Sequence, residues 1–253
     1  MRRDIDEALQ GWPYEPTPGE VMAREVRARD GRTVLQMRVE LGLLQMEVEN
    51  RPDGVKPFGF VSYLDYMRYR AAGRGQTRGG KSPSWTMGTE HRMEADREFT
   101  QYYQRRLAWL SLQRYERALQ DSEHTLALMD FVARHGENPD YIASHERFRA
   151  LVLLHRTQAA AALALERRKP EEAIDVVRDG ADRIRGHADA LAGDNDQAEV
   201  HYEAMIEQLR FLEQEIRRNF EVQKTLREQL DEAVASEDYE AAARLRDQIR
   251  ARH

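Results

Sequence analysis

The sequence contains no cysteine and no long apolar run. The missing thiols exclude disulfides, thiolate metal sites and cysteine nucleophiles, and they are compatible with the cytosol. The most apolar stretch, residues 151–165, includes His155 and Arg156 and is too short and too polar to span a bilayer. The first residues turn acidic where a signal peptide needs an apolar run. We therefore expect a cytoplasmic protein with no membrane partner.

The composition is low in apolar residues and high in charged ones, at 41% and 33%. This balance favours exposed helices over a deep sheet core. The net charge of -6 does not attract nucleic acid or an anionic membrane, so any nucleic-acid role would need a local basic patch. At 253 residues, the chain is long enough for one large domain or two modest ones.

The first 60 residues favour a small antiparallel β-meander after a short helix. Apolar residues alternate in three stretches, 20–29, 34–41 and 43–49, and the pair Asp30-Gly31 between the first two is typical of a tight hairpin. Val21, Val26 and Ala28 are candidate inward positions of the first stretch, and the second alternates through Leu35, Met37, Val39 and Leu41. Such a small sheet must cover its apolar face with the helices that follow.

Helical spacing dominates from residue 61 onward, so we expect an α+β protein that is predominantly α. A stretch rich in Gly, Ser, Thr and Pro, residues 73–89, is interpreted as a linker. We divide the chain into 1–60, a small antiparallel β unit; 61–90, a helix and a Gly-rich basic linker; 91–193, an α-helical region; and 194–253, a long helix with a helical hairpin.

Two stretches of the middle region resemble half of a tetratricopeptide repeat, which makes this region TPR-like. One begins at residues 114–119 and continues with Ser122 and Thr125; the other begins at residues 171–174 and continues with Val177 and Gly180. In both, small residues sit where two helices must approach closely. The two stretches are farther apart than the roughly 34 residues of that repeat, so a generic helical bundle remains an alternative.

A long helix is predicted after residues 193–195, which break the pattern and offer an N-cap. Its apolar seam would be interrupted by the polar Asn219 and Gln223, and would resume in the final segment. The members of the seam are Tyr202, Met205, Leu209, Leu212, Ile216, Leu226, Leu230 and Ala233.

The final segment has the pattern of two amphipathic helices joined by a tight acidic turn. Leu226, Leu230, Ala233 and Val234 form one apolar stripe; Tyr239, Ala242, Leu245 and Ile249 form the other. Ser236 is predicted to be the N-cap of the second helix. A hairpin this small buries too little surface to be stable alone, so it must pack on the long helix, on a copy of itself or on a partner.

This segment, Leu226 to Ile249, resembles the UVR motif of the excision-repair proteins UvrB and UvrC and of regulators of the Clp protease system. The resemblance includes the Glu-Asp-Tyr-Glu turn, the paired alanines and a Leu-Arg-Asp triplet. It implies contact with another protein or with an identical copy, and no catalytic activity. The implied contact positions are Leu230, Tyr239, Ala242, Ala243, Leu245, Arg246 and Asp247, to which the apolar stripe adds Ile249. Nothing in the chain resembles the helicase of UvrB or the nuclease of UvrC.

Residues 75–82 match the P-loop pattern G-x-x-x-x-G-K-[ST] letter for letter. The mechanism of a P-loop needs an apolar strand before the loop and a helix after it. The preceding residues are helical and basic, and Pro83 follows. We therefore interpret the match as coincidental, and a nucleotide-binding enzyme is the weakest of our hypotheses.

The same part of the chain is locally basic and could hold the phosphates of nucleic acid, with Tyr66, Tyr69 and Trp85 nearby for stacking. A solvated linker is the competing interpretation. The cations of this patch are Arg68, Arg70, Arg74, Arg78 and Lys81.

The sequence predicts no catalytic residues, no metal site and no cofactor. Its histidines lack the H-x-x-x-H and H-E-x-x-H spacings of metal sites, and its serines lack a G-x-S-x-G context. We therefore expect a non-enzymatic adaptor or scaffold that acts through the C-terminal hairpin. A nucleic-acid-associated accessory protein, linked to excision repair through a UVR partner, is the alternative.

Overall fold

The computed structural model of the protein describes residues 5–15, 17, 19–73, 85–191 and 196–251. It has the expected α+β, predominantly α fold. The strands are β1 (Ala23–Arg27), β2 (Thr33–Val39) and β3 (Gly42–Glu47). The helices are α1 (Asp6–Gln10), α2 (Tyr63–Ala71), α3 (Thr89–Ser111), α4 (Tyr115–His135), α5 (Pro139–Glu146), α6 (Arg149–Glu166), α7 (Pro170–Leu191), α8 (Asp196–Phe220), α9 (Leu226–Ala235) and α10 (Tyr239–Ala251).

The three strands form the predicted antiparallel meander, in the order β1-β2-β3. The hairpin between β1 and β2 turns at Asp30-Gly31, where Gly31 adopts a φ of 87°. The central strand is covered on both faces, because the consecutive residues Val34, Leu35, Gln36 and Met37 are all buried. Side chains on both faces of this strand are therefore buried at these four positions, although the sequence predicted one buried and one exposed face.

The strand alternation predicted through Leu41 ends earlier, at Val39. Val39 pairs with Gly42, so Leu41 lies in the two-residue turn between β2 and β3 and is 91% exposed. The apolar alternation continues past the end of the strand, but the backbone there has already reversed direction. A turn residue no longer follows the two-residue period of a strand.

By its contacts the chain divides into two compact units, Met1–Val152 and Leu153–His253, with the boundary inside α6. In the first unit, α2 packs on α3 and α4 through a core cluster that includes Leu64, Met67 and Leu128. In the second unit, α7 packs on α8, and α9 packs on α10. The four segments proposed from the sequence stay a prediction about domain organisation.

A buried carboxylate fixes the start of α2. Glu98 of α3 has no exposed surface and accepts hydrogen bonds from the backbone N–H groups of Tyr63 (2.6 Å) and Leu64 (3.1 Å). His124 of α4 lies 2.9 Å from the same carboxylate through its Nε2. The N-terminus of a helix stabilises a negative charge such as this carboxylate. The side chain of Glu98 therefore joins α2, α3 and α4.

A second buried contact holds the sheet to the helices of the first unit. Arg105 of α3 donates two hydrogen bonds to the carboxylate of Asp121 of α4, at 2.7 and 2.9 Å. The same guanidinium donates to the carbonyl oxygens of Glu47 and Asn50, at the end of β3 and just after it. Planar guanidinium groups suit this kind of buried, multiply bonded contact.

Small residues in the helical middle lie where helices approach closely. Ala118 of α4 and Ala173 of α7 are fully buried. A Cβ atom at Gly180 of α7 would collide with the side chain of Thr157 of α6, so glycine is required there by the spacing of the two helices. The TPR-like nature of this region stays a prediction.

The apolar seam predicted from Tyr202 to Ala233 is divided between two helices. Helix α8 ends at Phe220, Glu221 has a φ of 54°, and α9 begins only at Leu226. The seam of α8 is nevertheless buried at Tyr202, Leu209 and Ile216. Among the described helices, none combines the length and the apolar character that crossing a bilayer requires.

Candidate protein interaction site

The helical hairpin α9–α10 begins at a capping box. The Thr225 side chain accepts a hydrogen bond from the N–H of Glu228 (3.2 Å), and the Glu228 carboxylate accepts one from the N–H of Thr225 (2.7 Å). Thr225 has no exposed surface, and its hydroxyl donates to the carboxylate of Asp175 on α7 (3.0 Å). Burial raises the pKa of Asp175, although this hydrogen bond acts in the opposite direction. The first turn of α9 is therefore fixed to α7.

Ion pairs surround this anchor. Glu228 lies 2.7 Å from Arg217 of α8 and 2.9 Å from Arg178 of α7, and Arg227 lies 3.1 Å from Asp179 of α7. Burial alone would raise the pKa of Glu228, but the hydrogen bonds from the Thr225 N–H and from Arg217 outweigh it and hold that pKa below its usual value. The base of the hairpin is thus held by both helices of the α7–α8 pair.

Asp238, and not Ser236 as predicted, caps the second helix of the hairpin. The carboxylate of Asp238 accepts a hydrogen bond from the N–H of Ala241 (3.0 Å), as expected of an N-cap residue. Ser236 instead closes α9, where its N–H donates to the carbonyl of Glu232 (2.9 Å). The turn between the helices includes Glu237, which has a φ of 60° and is therefore not helical. As a result, α10 begins at Tyr239, two residues later than a cap at Ser236 would place it.

The helices of the hairpin pack through small residues. Ala233 of α9 and Ala242 of α10 are both buried, and the absence of larger side chains lets the two helices lie close together. Leu230, Ala243, Leu245 and Ile249 are only half-buried. Tyr239 is 69% exposed and Val234 is 53% exposed. Much of the apolar surface of the hairpin therefore remains open.

Two grooves flank α9 and share Leu230. The outer groove, of about 620 Å³, lies between α9 and α10 and is lined by Val234, Tyr239, Ala242, Ala243, Arg246 and Asp231 together with Leu230. The inner groove, of about 730 Å³, lies between α7 and the hairpin and includes Val176, Leu226 and Ile249. Of the predicted contact residues, Leu245 and Asp247 line neither groove. Arg246 and Asp247 are exposed and lie 3.5 Å apart.

The other candidate residues from the sequence lie elsewhere. Arg68 and Arg70 are exposed on α2; Arg68 is 3.7 Å from Asp65, and Arg70 donates to the hydroxyl of Tyr66 at 2.9 Å. Arg74, Arg78 and Lys81, with the whole P-loop-like stretch 75–82, fall outside the described residues. Within the described ranges, no three His, Asp or Glu side chains gather as metal ligands.

The sequence-based interpretation missed the anchor of the hairpin. The pattern Thr225-x-x-Glu228 is a capping-box signature and could have located the start of α9. Asp175 carries no comparable signal, because its role depends on α7 lying beside the start of α9. A tertiary contact of this kind leaves no mark on the local sequence.

Comparison with known families gives a match that falls on this hairpin. The UVR family, described as the UvrB/uvrC motif, matches residues 221–251. The match begins at the break after α8 and therefore includes Thr225 and Glu228 with both helices of the hairpin. No curated protein and no solved structure matches the chain.

Proposed function

We propose that this protein is a non-enzymatic, cytoplasmic adaptor that binds another protein through the outer groove of its UVR hairpin. The observation that carries the proposal is the exposure of Tyr239 and Val234 beside that groove. Exposed apolar side chains that surround a concave surface are typical of interaction sites. The capping box and the ion pairs around Glu228 hold the hairpin in place, so a partner would meet a preformed surface.

The charges around the outer groove favour a protein partner over nucleic acid. Asp231 and Arg246 contribute one charge of each sign to its lining. A surface that binds phosphates is expected to be predominantly cationic. An exposed tyrosine flanked by an arginine, with small apolar residues between them, is the composition found at the centre of protein interfaces.

Tyr239→Ala is the sharpest test of this proposal. Because Tyr239 is mostly exposed in the chain, we expect the variant to fold normally but to lose about 2 kcal/mol or more of partner binding, as for an interface hot spot. Affinity capture with quantitative mass spectrometry and analytical ultracentrifugation would measure retained partners and self-association.

Phe211→Ala is the matched control, because Phe211 is 63% exposed on α8 and lies outside the UVR match. These point variants are more informative than removal of the hairpin, which would also remove Thr225 and Glu228 from α7 and α8. If Tyr239→Ala keeps every partner and the oligomeric state of the unmodified protein, the outer groove is not an interaction site and the hairpin only caps the helical unit.

A role beside nucleic acid, through a partner from excision repair, is the second candidate function. The observation in its favour is the family match itself, since the UVR motif is described from UvrB and UvrC. The capture experiment distinguishes the two candidates. A repair protein that is lost with Tyr239→Ala supports the accessory role, whereas a partner from another process supports a general adaptor.

A further inference from the structure

The turn before α2 exposes a phenylalanine on a strained backbone. Phe58 is 68% exposed and has a φ of 51°, a conformation that bulky residues rarely adopt. It lies between the buried Pro57 and Gly59, which has a φ of 87°. The turn is closed by hydrogen bonds from the N–H of Gly59 to the carbonyl of Lys56 and from the N–H of Phe60 to that of Pro57. The fold therefore holds this ring in solvent against both its backbone preference and the hydrophobic effect.

A fixed tyrosine supports the exposed ring from behind. The rings of Phe58 and Tyr66 are stacked, with centroids 4.1 Å apart and planes 23° from parallel. Tyr66 is buried, and it also contacts Phe60, which in turn contacts the partly exposed Tyr69. We call Phe58, Phe60, Tyr66 and Tyr69 the aromatic platform. One face of the Phe58 ring rests on Tyr66, and the exposure of the residue leaves room for a flat group on the other.

Arg70 brings a positive charge directly to the platform. The guanidinium of Arg70 lies 5.8 Å from the centre of the Tyr66 ring and donates a hydrogen bond to its hydroxyl. Arg68 is exposed on the same helix, and Lys56 is exposed at the start of the turn. Asp65 lies 3.7 Å from Arg68 and accepts a hydrogen bond from Ser62. Burial lowers the pKa of His91, whose ring lies 6.3 Å from that of Tyr66, and the charge of Glu90 acts to raise it. Positive charge next to an open aromatic face suits a ligand with flat rings and negative groups.

We propose that the aromatic platform binds single-stranded nucleic acid, with one base stacked on the free face of Phe58 and a neighbouring phosphate held by Arg70 and Arg68. Any base can stack on an aromatic ring, and cationic side chains contact the phosphate backbone of the strand. A duplex keeps its base faces covered, so a single strand is the form that fits. With a net charge of -6 on the whole chain, binding should depend strongly on salt. This site belongs to the first compact unit and does not depend on the function proposed for the hairpin.

Fluorescence anisotropy of the full-length protein tests the proposal. The probes are labelled single-stranded DNA and RNA of about twelve nucleotides, a length in the range that single-strand-binding sites cover. At low salt we expect Phe58→Ala to weaken binding about tenfold, or about 1.4 kcal/mol, and Phe58→Leu to weaken it similarly because leucine is apolar but not flat. Phe58→Trp should retain binding. Arg70→Glu should weaken binding and reduce its salt dependence.

Two exposed residues outside the platform serve as controls. Phe211→Ala removes an equally exposed ring, and Arg183→Glu makes the same charge change on α7; both should bind as the unmodified protein does. Phe58→Gly, which relieves the backbone strain, should fold with unchanged or higher thermal stability but lose binding. This variant separates a role in binding from a role in folding.

Three results would overturn the proposal. The first is the absence of single-strand binding at low salt. The second is binding that Phe58→Ala leaves unchanged, or that a duplex of the same length matches. The third is binding to phosphatidylserine vesicles, or to a cross-linked protein partner, that requires Phe58 while the oligonucleotides do not bind; this would assign the platform to a different class of ligand.

Discussion

Charged residues, and not only apolar ones, determine how the helices of the first unit are placed. Glu98 is fully buried and joins the N-terminus of α2 to α3 and α4. Arg105 and Asp121 form a buried pair that also holds the end of the sheet. Buried charges are tolerated only when their hydrogen bonds are satisfied, so each of these residues depends on its partners.

Glu98→Ala should therefore destabilise the protein more than a typical surface substitution. The variant leaves the N–H groups of Tyr63 and Leu64 buried without an acceptor, and we expect a loss of about 3 kcal/mol in the free energy of unfolding. Chemical denaturation followed by circular dichroism gives this quantity. Glu203→Ala, an exposed glutamate on α8, is the control and should change stability by less than about 0.5 kcal/mol. Equal effects of the two variants would mean that Glu98 does not anchor α2.

At the scale of elements, the hairpin α9–α10 combines a fixed base with an open outer face. Its base is joined to α7 through Thr225 and Asp175, and to both α7 and α8 through Glu228. Its far end is the exposed turn that precedes Tyr239. A small helical hairpin cannot bury enough surface to be stable alone. The anchor explains how this one keeps its position before any partner binds.

Thr225→Ala should destabilise the start of α9. The change removes a helix cap and leaves Asp175 without its hydroxyl partner, which together should cost about 2 kcal/mol. Thr225→Ser keeps both hydrogen bonds and should have a much smaller effect. Amide hydrogen exchange would show faster exchange in α9 for the alanine variant only. Unchanged exchange in that helix would contradict the role assigned to Thr225.

The ion pairs of Glu228 should make the hairpin anchor sensitive to acid. The folded state holds the pKa of Glu228 below its ordinary value of 4.5. The stability that the ionised carboxylate contributes is therefore fully present above that pH, and it is lost as the pH falls through the lower pKa of the folded state. The raised pKa of Asp175 acts in the opposite direction, because the folded state already favours its protonated form.

Glu228→Gln should therefore reduce stability at neutral pH and lose less stability on acidification than the unmodified protein. Urea denaturation at several pH values between about 7 and 3 would compare the two proteins. Parallel pH profiles for the two proteins would show that Glu228 contributes nothing to the acid sensitivity.

At the scale of the whole molecule, the two proposed surfaces belong to different compact units and differ in chemistry. The outer groove of the hairpin has apolar residues with one charge of each sign, whereas the aromatic platform has rings with cations. Because the net charge of the chain is negative, any site that attracts an anionic ligand must be a local cluster of cationic side chains. The binding of a protein and of a nucleic acid can therefore be tested separately with Tyr239 and Phe58 variants.

The P-loop-like stretch 75–82 yields a prediction for the whole chain. If the match is coincidental, ATP with Mg²⁺ should not raise the melting temperature, and Lys81→Ala should not change it. A true site saturated at a hundred times its dissociation constant would add about 2.7 kcal/mol of stability, which thermal unfolding would detect. A reproducible shift with ATP that disappears in Lys81→Ala would restore the nucleotide-binding hypothesis.

Local patterns in the sequence determined the elements of this protein and the family match. The alternation around Asp30-Gly31 predicted the meander, and the residues from Leu226 to Ile249 identified the helical hairpin, because strand, turn and helix periods depend on neighbours in the chain. The N-cap of α10 was misplaced, because Ser236 and Asp238 are both suitable cap residues and lie two positions apart. The Thr225-x-x-Glu228 capping box marks the start of α9, but the predicted hairpin was placed from its apolar stripes alone.

Tertiary structure alone decided which side chains meet and which remain exposed. Glu98 caps a helix that begins 35 residues before it, and Asp175 receives a hydrogen bond from Thr225, 50 residues after it. Phe58 and Tyr239 are aromatic residues of the kind usually found in a core, but both are exposed to solvent. Phe58 lies in a strained turn, and Tyr239 directly follows the turn between α9 and α10. Burial depends on the packing of distant segments, and this packing is not encoded in any local period. The sequence therefore indicated where the hairpin lies, and the fold determined which of its surfaces are exposed.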